Sequence, residues 1–185
     1  MSGEVDRIKL IEEKIRAEDK GRATATHDAR ELTMKLLLAK GYLPEEIEKD
    51  RAFHVAAGEL TGTVSTDFIV SPGGTPYMAV KCAMELVSRE RHILALSRVV
   101  LDRQIPLSIV TDGLAAHVMD TVSGRVLSER LAEIPARDDV LRRLRTYTPV
   151  PFPPERIEKQ KRVLFAFECL ACGNAPSEVQ GGPGA

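Results

Sequence analysis

The stretch 65-STDFIVSPGGTPYMAVKCA-83 decides how this chain is read. Two apolar, β-rich runs flank the turn-forming residues Ser71-Pro72-Gly73-Gly74-Thr75-Pro76, which predicts a pair of strands joined by a tight connection. Asp67 falls on the first strand and Lys81 on the second. A carboxylate facing a hairpin partner is how some nucleases begin a metal site. Here the partner strand offers a lysine where a second acid is wanted. Asp67 also has a plainer reading, as a strand acid paired with Lys81 across the hairpin.

Upstream, 51-RAFHVAAGEL-60 and 62-GTVSTDFIV-70 are short, alternating and separated by glycine, the pattern of strands. Before them, Ile8, Ile11 and Ile15 recur at helical spacing over residues 4–20. The segment 21-GRATATHDAR-30 is expected to break that helix, and Thr26 or Asp28 to cap a second one. Leu32, Leu36 and Leu37 supply the apolar face of this second helix, Gly41 its C-terminal cap, and Pro44-Glu45-Glu46 the first turn of a short helix. Downstream, residues 86–104 return to helical spacing, and 105-IPLSIVT-111 is a continuous apolar run of the kind buried on both sheet faces. The strands 115-AAHVMDT-121 and 125-RVL-127 follow. A basic helix at 137–146, a proline-rich linker at 148–155 and a last helix at 154–170 complete the chain, with a disordered tail expected over 173–185.

This order predicts an α/β fold, a mixed β-sheet flanked by helices, with extra N- and C-terminal helices. The corresponding divisions are an N-terminal amphipathic helix at 1–23, a core at 24–135, C-terminal helices at 136–172 and the tail. The 185 residues carry 43% hydrophobic and 29% charged side chains, which suits a globular domain with a sizeable core. No apolar run reaches the ~20 residues of a membrane span, so no membrane partner and a cytoplasmic location are expected. The net charge of −1 advertises no global field for nucleic acid, though a local basic groove is compatible with it.

The region from about Thr24 to Leu127 resembles the N-terminal nuclease-like domain of type I restriction enzyme R subunits, within the PD-(D/E)XK restriction-endonuclease-like superfamily. The resemblance rests on ordered pieces: KGY at 40–42, PEEI at 44–47, TDFIV at 66–70, GGTPY at 73–77, MAVKCA at 78–83 and IPLSIVTDG at 105–113. In an active member, the Asp on the first strand and the Glu of a Glu-x-Lys on the second hold Mg²⁺, while the Lys helps orient the attacking water. Residues i and i+2 of a strand share a face, so Glu-x-Lys presents both side chains to one cleft. Asp67 matches the first acid, but Lys81 stands at the Glu position and Ala83 at the Lys position.

That exchange puts an ammonium where a metal ligand belongs, and the expectation is a degenerate site retained for binding nucleic acid or a protein partner. No cofactor is then expected. The alternative is an active endonuclease using Mg²⁺ or Mn²⁺, with Asp67 as the metal ligand, Lys81 as a shifted lysine and a relocated acid from Glu31, Glu59 or Glu85. A third reading is a homodimeric interaction module. Arg89, Arg91, Arg98 and Arg103 are the candidate contacts to DNA phosphates, with Arg142, Arg143 and Arg145 as a second set. Cys169 and Cys172 form half of a zinc site at most, and Cys169 also continues an apolar helix face. His27, His54, His92 and His117 lack ligand spacing, and there is no phosphate-loop motif.

Overall fold

Alternating and continuous apolar runs assemble into one six-stranded sheet in a computed structural model that describes residues 2–172, with side chains chiefly over 20–167. The expected tail lies outside the described residues. The strands are β1 (Ile47–Ala57), β2 (Leu60–Val70), β3 (Met78–Cys82), β4 (Leu107–Thr111), β5 (Ala116–Asp120) and β6 (Val126–Ser128), neighbours in sequence order. All pairs are antiparallel except β3 with β4, which are parallel and joined by helix α2 (Leu86–Val99). The mixed sheet expected from the sequence is therefore present, and the two central strands of the quoted stretch pair through Phe68↔Val80, Ile69↔Ala79 and Val70↔Met78.

Helices cover both faces. α1 (Ser2–Ala39) and α3 (Arg137–Leu144) pack over Phe68, Val70, Met78, Val80 and Ile109 on one side. α2 and α4 (Pro154–Cys172) cover Ile69, Ala79, Val110 and Met119 on the other. Successive strand residues serve opposite cores, as a period of two requires. Phe68 and Ile69 are thus both buried, and each stabilises the fold by roughly 1.5–3 kcal/mol through that burial. Among the described residues, no helix is long and apolar enough to cross a membrane.

Three expectations need correction. The break over 21–30 is absent, and α1 runs through it as a single helix. Gly21 costs only ~1 kcal/mol in a helix interior, and the Thr24 hydroxyl donates back to the Lys20 carbonyl at 3.0 Å, so neither ends the helix. Thr26 and Asp28 are consequently interior residues rather than caps. The strand read as 51–60 begins earlier, at Ile47, and ends at Ala57, leaving Gly58 and Glu59 as the turn to β2. Gly58 takes φ 59°, which suits that tight turn. The helix read as 86–104 stops at Val99, where Ile105 donates back to the Ser97 carbonyl at 2.8 Å and redirects the chain into β4.

Candidate functional site

The β2–β3 ladder ends at Phe68↔Val80, so the next opposed residues are Asp67 and Lys81. Beyond that pair, side chains replace the backbone ladder. The Thr66 hydroxyl donates to the Val80 carbonyl at 2.7 Å, and the Cys82 N–H donates to Asp67 Oδ2 at 2.8 Å. This fork holds the Asp67 carboxylate against the sheet with its side chain only 8% exposed. The Lys81 Nζ lies 3.5 Å from Oδ2, and Arg30, reaching over from α1, lies 3.3 Å from Oδ1.

A second carboxylate is present, and it is none of the three acids expected from the sequence. In the β1–β2 ladder, Lys49 pairs with Phe68 and Arg51 with Thr66, which leaves Asp50 across from Asp67. Asp50 takes φ 51°, unique among the described non-glycine residues, and Asp tolerates this left-handed region better than most. Arg30 binds it at 2.5 Å. One guanidinium thus joins both acids. Burial works against the charge on Arg30, but the hydrogen bond to Asp50 and the nearby Asp67 outweigh it and raise the Arg30 pKa.

The other predicted residues lie around this cluster or away from it. Glu31 is exposed and lines a cleft beside Arg30. Glu59 is in the hairpin turn, about 26 Å along β2 from Asp67 at roughly 3.3 Å per residue. Glu85 is an exposed residue at the start of α2. Ala83 is half-buried against the α2 core. Among the arginines, Arg98 donates to the Thr121 carbonyl at 2.9 Å, Arg103 to the Pro149 carbonyl at 3.2 Å, and Arg89 lies over the Phe167 ring at 5.8 Å. Burial and the charge of Arg156 lower the Arg98 pKa. Arg91 is exposed on α2, whereas Arg103 lies beyond its end, so the four do not share one helix face.

Cys82 is buried, donates weakly to Thr33 Oγ1 at 3.7 Å, and has its thiol pushed up to about 12 by burial and by the Asp67 charge. It is a packed thiol, not a nucleophile. The side chains of Cys169 and Cys172 lie outside the described ones. Among the described residues, no group of three or more His, Cys, Asp or Glu is placed to hold a metal ion.

Between α1 and β1, next to this cluster, runs a cleft of about 750 Å³. Arg30, Lys35, Lys49 and His27 line it over Met34 and Phe68, with Glu31 as the single acid. Sequence reasoning missed this basic set. Its signal is the buried α1 stripe Ala29, Thr33 and Leu37, spaced at i, i+4 and i+8, which places Arg30, Met34 and Lys35 on its flank.

The match to known families agrees with this geometry. The family of the type I restriction enzyme R protein N terminus covers residues 29–135, more than half of the chain. The chain belongs to that family. No curated protein and no solved structure gave a match. The restriction R-protein match starts within α1, at the first residue of its buried stripe, and ends just before α3. It therefore contains Arg30, Asp50, Asp67 and Lys81 together with the whole sheet.

Proposed function

We propose that this restriction R-type N-terminal domain descends from a PD-(D/E)XK nuclease, no longer cuts, and is retained to bind nucleic acid. The observation that supports this is the state of Asp67, whose carboxylate meets Arg30 at 3.3 Å, Lys81 at 3.5 Å and the Cys82 N–H at 2.8 Å. The residues do not fit a divalent cation. Mg²⁺ needs several well-placed oxygens, and the second carboxylate here, Asp50, is already bound to Arg30. A unit charge ~4 Å away interacts by about 4 kcal/mol at an effective dielectric of ~20, so each fixed cation opposes an entering metal, less the screening that their partial exposure allows.

The reading has a direct test. Supercoiled and linear DNA incubated with the purified protein and Mg²⁺ or Mn²⁺ should stay intact. Metal-dependent cleavage that disappears in Asp67→Ala overturns the proposal, and points to Asp50 or Glu31 as the additional acid.

A further inference from the structure

We propose that the cleft between α1 and β1 is a phosphate-binding site in which Arg30 is an exchange latch, leaving Asp50 and Asp67 for an incoming phosphate group. The inference rests on the reading of Asp67 as a site closed by cations, and it assigns the ligand chemistry of that same region.

Three features carry it. First, Lys35 and Lys49 line the cleft, and among the described residues neither is held by a salt bridge, so an anion entering there meets two uncommitted ammonium groups. Second, Arg30 lines the same cleft and is only partly buried, its side chain 31% exposed. A guanidinium fork suits phosphate oxygens as well as carboxylate oxygens. Third, both carboxylates can release Arg30 without being stranded. Asp50 has a 66% exposed side chain and returns to water, while Asp67 keeps the Cys82 N–H and Lys81. A bidentate, fully desolvated pair offers no such exit.

The latch makes a statement that a merely basic cleft does not. Because carboxylate and phosphate compete for one guanidinium, neutralising Asp50 must tighten phosphate binding through Arg30, and the two effects must couple. Asp50→Asn is a suitable probe, because Asn tolerates the same left-handed backbone.

The experiment measures binding of a fluorescent 20-base-pair duplex to the full chain by anisotropy, with inorganic phosphate and pyrophosphate as competitors. Lys35→Ala with Lys49→Ala should weaken binding at least about tenfold and reduce the slope of log affinity against log salt by about two. Asp50→Asn should tighten binding about threefold to tenfold, and in an Arg30→Ala background the same substitution should have a clearly smaller effect, limited to the loss of one repelling charge. Duplex binding at least about 100-fold tighter than inorganic phosphate assigns the cleft to nucleic acid, whereas competition at equal concentrations assigns it to a small phosphate compound. An equal effect of Asp50→Asn with and without Arg30 overturns the latch, and native affinity in the double lysine variant overturns the site. Incubating the same samples with Mg²⁺ and checking for cut product separates the two failures, since cleavage would refute the closed-site reading, whereas native affinity in the double lysine variant without cleavage would refute the phosphate site alone.

Discussion

Glu46 and Asp67 are both buried carboxylates facing an arginine, yet the protein holds them in different ways. Each oxygen of Glu46 accepts two donors: Arg137 through Nε at 2.8 Å and its terminal nitrogen at 2.9 Å, and the N–H groups of Leu43 and Gly73, both at 3.1 Å. Arg137 opens α3, and Gly73 lies in the turn before β3, so the pair staples three distant segments. Asp67 has one hydrogen bond, from Cys82, and two looser ion pairs whose cations come from α1 and β3. Saturated geometry marks a structural joint. Under-filled geometry, with a cation shared between two acids, marks a place where partners can change.

The largest expected difference is in stability. Glu46→Ala should lower the unfolding free energy by about 2 kcal/mol, because it leaves the half-buried Arg137 and the Leu43 and Gly73 N–H groups without their acceptor. Asp67→Asn should cost about 1 kcal/mol, since one amide can still accept from Cys82. Urea titrations check both, and equal losses would erase the contrast.

Acid sharpens it further. The Arg137 hydrogen bond holds the Glu46 carboxyl below the usual carboxylate range, with burial opposing and the Leu43 and Gly73 N–H groups assisting. A depressed folded value means that this stability is present above the unfolded pKa and is lost as pH falls through the folded one. The gap between native protein and Glu46→Ala should therefore be constant above about pH 5 and shrink below about pH 4, as followed by thermal melts.

Metal affinity probes the other side of the comparison. Lys81→Glu with Ala83→Lys restores the Glu-x-Lys spacing, but Arg30 still stands at the carboxylates. Adding Arg30→Ala to that double variant should raise Mn²⁺ affinity at least about tenfold by calorimetry. If the double variant already binds as tightly as the triple, Arg30 is not part of the closure. The smallest effect concerns Cys82. In a Cys169→Ser, Cys172→Ser background its thiol should not react with a disulfide reagent at pH 8, consistent with a pKa of about 12, and rapid labelling would show the fork to be open.

The strand pair and the opposition of Asp67 to Lys81 were legible because turn chemistry and a period of two act locally. Asp50 was hidden because its position depends on where β1 starts, four residues before the run that looks like a strand. Arg30 was hidden for another reason. Gly21, Thr24, Thr26, His27 and Asp28 are weak helix formers, so the segment reads as a break, yet helix continuity places its last residue over the acids. Glu59 and Glu85 lie close in sequence to the quoted strands and Glu31 on the helix before them, but neither kind of placement fixes which acid faces Asp67. Cross-strand register, which brings residues 17 positions apart face to face, supplied Asp50 instead. Arg98 illustrates the converse: an exposed-looking charge on a helical wheel that folding commits to the Thr121 carbonyl, just past the end of β5.

The β1–β2 ladder runs through ten matched pairs closed by a two-residue turn, so it can zip outward from its most local pair, Ala57↔Leu60. Such hairpins form within microseconds, ahead of contacts that must close longer loops. A hairpin that forms first would set Asp50 opposite Asp67 before α1 delivers Arg30 and before β3 delivers Lys81. Such a hairpin would carry two unpaired negative charges across one rung, so salt or mild acid should speed this early step even where it weakens the finished protein, and stopped-flow refolding rates that are flat with salt would show that the hairpin does not come first.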